Sequence, residues 1–300
     1  MRFHFQITVQ LLAASMWTCI WVGPASAQQH AWQLGTASPH RGEEAQNCPT
    51  SAFSGTYLYL TSGFQFTGSG DGSLLQSYPF LAIGRLIVQS SKLATATGIA
   101  RQVLSGNNEL HDETFSAKYV VDPDEHCLIR LTLSQCDKGS CTDQTTLLVV
   151  SPNGNQALSV GGVDNQVAKG EFIRVADHEP GVSCKTSTLK GTYQFQTFGY
   201  GFDPTLNSFQ TPAAYPFTSA GVVTAKDGNF SFHDWADCCQ TSLRRDYTAL
   251  YDLDSDCSGT LRQPDPSYPT ASIFASADGA AFVLLQNETD APVAGFAKHQ

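Results

Sequence analysis

Charge is scarce in this 300-residue chain, and positive charge scarcest: 17 Lys and Arg stand against 27 Asp and Glu, for a net charge of −10. Scattered cations in an acidic chain offer phosphates no concentrated positive field, which excludes a nucleic-acid partner. Past residue 22 no apolar run is long enough to span a bilayer, so no membrane span is expected. No segment of helical length carries apolar residues at three-to-four spacing, which removes helices from the fold. Also missing are a Gly-x-Ser-x-Gly elbow, a phosphate-binding glycine loop and a His-Glu-x-x-His helix. Those patterns build hydrolase, nucleotide and zinc-protease sites, and without them neither a catalytic residue nor a cofactor is expected.

What the chain has, it has twice. Cys48-Pro-Thr-Ser-Ala-Phe-Ser-Gly-Thr-Tyr57 returns 136 residues later as Cys184-Lys-Thr-Ser-Thr-Leu-Lys-Gly-Thr-Tyr193. Tyr78-Pro79-Phe80 returns as Tyr215-Pro216-Phe217, and Asp122-x-Asp124-x-x-Cys127 as Asp252-x-Asp254-x-x-Cys257. Three landmarks in one order indicate a duplicated domain. A period this far above that of a solenoid implies two units that each close their own core.

Residues 1–27 read as a secretory signal, with Arg2, an apolar stretch from Ile7 to Val22 and a small-residue cleavage site at Ala25-Ser26-Ala27. Gln10, Ser15 and Thr18 interrupt that stretch and Gly23-Pro24 end it, which speaks against an anchor. Residues 28–47 are polar without a hydrophobic period, a disordered lead-in. The signal takes Cys19 with it and leaves eight of nine cysteines, an even number that reads as disulfides in an exported chain. The expected location is therefore secreted or periplasmic. The first unit covers 48–176, a turn-rich linker 177–183, and the second unit 184–300.

Within the units the hydrophobic period is two. Tyr193 and Phe195 alternate with Gln194 and Gln196, and Phe230 and Phe232 with Asn229, Ser231 and His233. Asp227-Gly228-Asn229, Pro152-Asn153-Gly154-Asn155 and Ala277-Asp278-Gly279 are turns between such strands. The chain is all-β, and two tandem antiparallel β-barrels of about eight strands each, stapled by disulfides, suit units of this length, since closure removes exposed edges.

Leu189-Lys190-Gly191-Thr192-Tyr193, Tyr215-Pro216-Phe217 with Gly221, Asp227-Gly228-Asn229, Asp256-Cys257-Ser258-Gly259-Thr260-Leu261 and the closing Gly295-x-Ala297-Lys298 resemble a group of poorly characterised secreted bacterial domains. The resemblance implies a small calycin-like barrel, similar to that of allene oxide cyclase. It covers most of residues 184–300. The first unit departs from it with Glu125-His126-Cys127-Leu128-Ile129, and the shared residues are turns and strand ends that carry no catalytic group.

Duplication narrows the cysteine pairings. Cys48 and Cys127 have counterparts in Cys184 and Cys257, so Cys48 is paired with Cys127 and Cys184 with Cys257. Of the remaining four, Cys136 with Cys141 would staple a hairpin end. Cys238 with adjacent Cys239 would form a strained ring, open to a redox role. The alternative places Cys184, Cys238, Cys239 and Cys257 in two longer bridges.

Three clusters invite chemistry. His233, Asp234, Asp237, Cys238 and Cys239 bring metal-binding residue types together, but adjacent cysteines do not suit a tetrahedral zinc site. Asp252, Asp254 and Asp256 open like a calcium loop, yet Cys257 stands where glycine is needed and Gln263 where glutamate is, and no metal is expected. Asp122, Asp124 and His126 could shuttle a proton but flank a turn. Asn229 and Asn287 begin formal glycosylation sequons. The function expected is therefore non-catalytic: a binding or surface-interaction protein carrying a small apolar ligand against Tyr57, Tyr59, Phe64, Tyr193, Phe195 and Tyr200, many of which a filled barrel would use as plain core. The rivals are a barrel enzyme of the cyclase or isomerase type and a structural envelope or extracellular component.

Overall fold

The computed structural model describes residues 53–67, 76–89, 95–104, 109–121, 127–161 except 138–139, 166–176, 183–202, 214–238, 241–264, 270–287 and 292–300. The signal, the lead-in, Cys48, Asp122, Asp124, His126 and Cys239 lie outside them. The described residues are β throughout, apart from a short 3-10 turn at Thr186–Thr188.

β1 (Gly55–Thr67), β2 (Gln76–Gln89), β3 (Thr95–Leu104), β4 (Glu109–Val121), β5 (Leu128–Asp137), β6 (Ser140–Val150), β7 (Gln156–Gly161) and β8 (Gln166–Val175) pair antiparallel in chain order. β8 then returns to β1, with Phe172 opposite Tyr59, and the sheet closes into an eight-stranded barrel. β9 (Gly191–Phe202), β10 (Ala214–Lys226), β11 (Asn229–Cys238), β12 (Thr241–Leu253), β13 (Ser258–Arg262), β14 (Ala271–Ala275), β15 (Ala281–Gln286) and β16 (Val293–His299) repeat the order. This second sheet curls until β16 lies against β9, from Val293 opposite Gly199 to His299 opposite Tyr193.

The period of two builds both sheets. In β11, Phe230, Phe232, Asp234 and Ala236 are buried while Asn229, His233, Trp235 and Asp237 are exposed. The inward residues form one apolar cluster per sheet: Phe53, Tyr57, Tyr119, Ile129 and Leu148 belong to the first, Tyr193, Phe230, Tyr251, Ile273 and Phe282 to the second. A third cluster lies between the sheets and was not legible in the sequence. There the outer faces of β1 and β2, through Leu58, Leu60, Leu81 and Ile83, meet the outer faces of β14 and β15, through Phe274, Val283 and Leu285. Each aliphatic chain so buried contributes about 2 kcal/mol. The described residues accordingly lie in a single compact unit.

Matching positions do matching work. Gly55 and Gly191 both sit at positive φ, 101° and 105°, a backbone open to glycine alone at little cost, which explains the glycine of the repeated Gly-Thr-Tyr. Cys127 and Cys257 also share left-handed φ, 57° and 69°. Each offers its carbonyl to the start of the next hairpin, Cys127 to the Val150 N–H at 3.1 Å and Cys257 to the Ala275 N–H at 2.9 Å. Cys257 is joined to Cys184 by a disulfide that closes 73 residues, worth about 4 kcal/mol in the chain-entropy account. Cys127 is disulfide-bonded as well.

Candidate functional site

The interior of the second sheet is layered. At its base, where the Thr186–Thr188 turn enters, Tyr193, Phe230, Tyr251 and Phe282 fill the space, with Phe230 stacked on Tyr251 at 4.2 Å and on Phe282 at 5.1 Å between ring centres. Tyr251 donates to the Leu189 carbonyl at 2.7 Å, and burial pushes its phenol up to about 12. The middle layer holds Phe195 edge-on to Phe232, itself stacked on Tyr247 at 4.6 Å.

The alternation then places a charge on the apolar face. Asp234 follows Phe230 and Phe232 at the inward parity of β11 and is 2% exposed. Gly221 lies opposite it on β10, where a Cβ would come within 2.8 Å of the Asp234 Cα and Cβ, so glycine makes the room. Arg245, opposite Asp234 on β12, donates from Nε to Oδ1 at 2.9 Å and from Nη2 to Oδ2 at 2.5 Å. Its guanidinium also stands 5.5 Å from the ring centres of both Phe217 and Tyr247, in cation–π range. Burial works against the Arg245 charge, but the hydrogen bond to Asp234 and the charges of Tyr247 and Asp234 together outweigh it and raise the pKa above the usual arginine value. Burial pushes the neighbouring Tyr247 phenol far up, and the Asp234 charge adds to the effect. Thr197 and Ser219 share a buried hydroxyl hydrogen bond of 2.7 Å on the two adjoining strands, completing a polar layer above an aromatic one.

Both oxygens of Asp234 are committed to Arg245, so the carboxylate is no free base. Nη1 of Arg245 meets no protein acceptor among the described residues, and the side chain is 33% exposed. The layer can therefore donate a hydrogen bond beside aromatic rings. It is net neutral. The first sheet has Ala100 and Glu113 at the register positions of Asp234 and Arg245, each matched from the glycine of β2, Gly84. The pair thus belongs to the second sheet alone.

The six aromatics expected around one ligand lie in three places. Tyr57 and Tyr59 are buried inside the first barrel, Tyr59 stacked on Phe172 at 5.2 Å, and Tyr193 and Phe195 are buried inside the second sheet. Phe64 and Tyr200 stand on outer faces, edge to face with each other at 5.7 Å, across the joint between the sheets.

The metal candidates diverge as well. His233 and Asp234 point to opposite faces of β11, and His233 instead shares a 2.6 Å hydrogen bond with Asp246 on the exterior. That bond holds the Asp246 carboxyl below its usual range. Asp252, Asp254 and Asp256 are exposed, and Asp256 accepts from the Ser258 N–H at 3.0 Å and hydroxyl at 2.6 Å to shape the turn. Among the described residues no three His, Cys, Asp or Glu side chains are placed to hold a metal ion. Cys136 is opposite Cys141 in the β5–β6 ladder, and Cys238 ends β11. Among the described residues no helix is long and apolar enough to cross a membrane.

In the sequence Asp234 stands out only within a group of metal-binding residue types where no metal is expected, and Arg245 is not singled out. The signal was available in the parity of Phe230, Phe232 and Asp234, which puts a carboxylate where a ring is expected.

No protein-family model and no curated protein matches this chain. Among solved structures it is similar to a protein with unknown function of the DUF3598 family from Nostoc punctiforme, over 86% of this chain and 100% of that one, at 9% identity and a TM-score of 0.20.

Proposed function

We propose that this is an exported, non-catalytic binding protein built from two copied calycin-like barrels, units 48–176 and 184–300, whose second barrel takes a small, largely apolar ligand against its Asp234–Arg245 layer. The single observation that carries this reading is the ion pair itself. A buried pair is rarely a stability device, because desolvation cancels most of its Coulombic gain and an apolar replacement holds a core as well. Its retention beneath Phe217 and beside Tyr247 suits recognition, with rings for an apolar body and one guanidinium N–H for its polar end. Since the pair is net neutral, that end is a neutral oxygen, hydroxyl or carbonyl, rather than a carboxylate. Disulfides at Cys184–Cys257 and at Cys127 support an oxidising compartment.

The test is native mass spectrometry after incubation with medium-chain alcohols, ketones, alkanes and fatty acids. The wild type should retain one alcohol or ketone in preference to the matching alkane and acid. The Asp234→Leu/Arg245→Met double variant, confirmed folded by circular dichroism, should lose that preference. An empty wild type, or a preference unchanged in the variant, refutes the reading.

A further inference from the structure

One outer face of the first barrel is apolar and uncovered. Leu147 and Val149 on β6 and Leu158 and Val160 on β7 are 38%, 55%, 60% and 67% exposed, and the ladder pairs Leu147 with Val160 and Val149 with Leu158. Four aliphatic chains therefore form one contiguous block. Exposed Val167 on β8, two residues from the Lys169 that pairs with Val160, extends it. Contiguous apolar surface of this kind on a soluble fold marks a contact site.

The second sheet shows what such a face does in this fold. Counted from their turns, Ser272, Phe274, Val283 and Leu285 on β14 and β15 hold the places of Leu147, Val149, Leu158 and Val160. All four are buried, and Phe274, Val283 and Leu285 pack on the aliphatic face of β1 and β2. That acceptor face is used up within the molecule. Its counterpart on β9 and β10 presents Gln194, Gln196, Thr218 and Ala220, all exposed, which does not match an aliphatic block. Head-to-tail growth is thus disfavoured, and among the described residues the complementary aliphatic surface left on a second copy is the same hairpin face.

We propose that the β6–β7 face is a dimerisation surface, seated on the same face of a second copy of this chain about a two-fold axis running across the strands. Charge selects that axis. Lys169 and Glu171 flank the block on β8, beside Val160 and Leu158 respectively. A two-fold across the strands exchanges these two rows, setting Lys169 against the partner's Glu171 and Glu171 against the partner's Lys169. An axis along the strands would instead set Lys169 against the partner's Arg130, a like-charge contact that disfavours association. Facing sheets with aligned strands is a standard packing, and isologous two-fold dimers are the commonest assembly.

The experiment is sedimentation equilibrium of the full chain from micromolar to about 100 μM, a range that covers dimers of ordinary affinity. The wild type should dimerise. Lys169→Glu should weaken the dimer by about tenfold, a loss of about 1.4 kcal/mol, and adding Glu171→Lys should restore it to near the wild-type value. Both positions are on the exterior, so folding is unaffected. A wild type monomeric throughout overturns the proposal, and so does a dimer indifferent to Lys169→Glu. Flotation with vesicles of mixed zwitterionic and anionic lipid gives the third arm: binding by a monomeric wild type, abolished by Leu158→Lys, would assign the face to a membrane surface instead. The outcome is independent of ligand binding at Asp234 and Arg245.

Discussion

Tyr193 donates its phenolic O–H to the backbone carbonyl of Gly279, 86 residues further on, at 2.7 Å. The same bond exists in the first barrel, where Tyr57 donates to the carbonyl of Gly154 at 2.8 Å. Both glycines close hairpins at the same left-handed φ of 71°. Around them the backbone repeats too: the N–H groups of Ser151 and Ser276 each donate across the turn at 2.8 Å, to the carbonyls of Gln156 and Ala281. The tyrosine of Gly-Thr-Tyr is thus a clasp between the first strand and the hairpin before the final strand, which is why the motif recurs.

Removing either phenolic hydroxyl leaves a buried carbonyl without its donor. Tyr57→Phe and Tyr193→Phe should each lower unfolding free energy by about 1–2 kcal/mol, and the two losses should add, since the sites share no partner. Urea unfolding of both single variants and the double variant measures this. Losses within experimental error of zero would show that the clasp is incidental.

Strand identity was legible because β9 and β11 have one wet face, which stamps polar residues at every second position. The joint was hidden because β14 and β15 are dry on both faces. All five residues of Ala271–Ala275 are buried, and the sequence there is an apolar run but for Ser272. Such a run announces that both faces are covered without saying by what. Leu58 and Leu60 carry the answer, but their place on the outer side depends on a register that only the closed sheet fixes. The ion pair was hidden differently. Asp234 and Arg245 are 11 residues apart on neighbouring strands, and only the β11–β12 register sets them face to face.

That register makes a double-mutant cycle informative. Asp234→Ala should destabilise the fold by roughly 3 kcal/mol, the lower end for breaking a buried pair, because Arg245 keeps partial access to solvent. Arg245→Met alone should cost a similar amount, since it leaves a carboxylate that is 2% exposed without its partner. Asp234→Leu with Arg245→Met should return to within about 1 kcal/mol of the wild type. Additive losses in chemical denaturation would mean that the two side chains act separately and would remove the physical basis of the binding reading.

The buried phenols set an alkaline limit to stability. Burial raises Tyr251 from 10.0 to about 12, and the neutral phenol is the form the fold holds. A folded-state pKa above the unfolded one contributes stability that is complete below pH 10 and disappears as pH climbs through 12. Burial raises Tyr193 and Tyr247 as well, so their neutral phenols also contribute stability that is lost as pH climbs above the ordinary phenol value. Phenolate absorbance and far-ultraviolet circular dichroism, followed together from pH 8 to 13, should show the exposed tyrosines ionising first with the sheets intact. The remainder should then ionise only as the sheets unfold. Tyr251→Phe should move that second step to higher pH, provided its lost bond to the Leu189 carbonyl is allowed for by comparing each variant with its own stability at pH 8. Ionisation of all ten tyrosines near pH 10 with no loss of sheet signal would show that the interior admits water to its base.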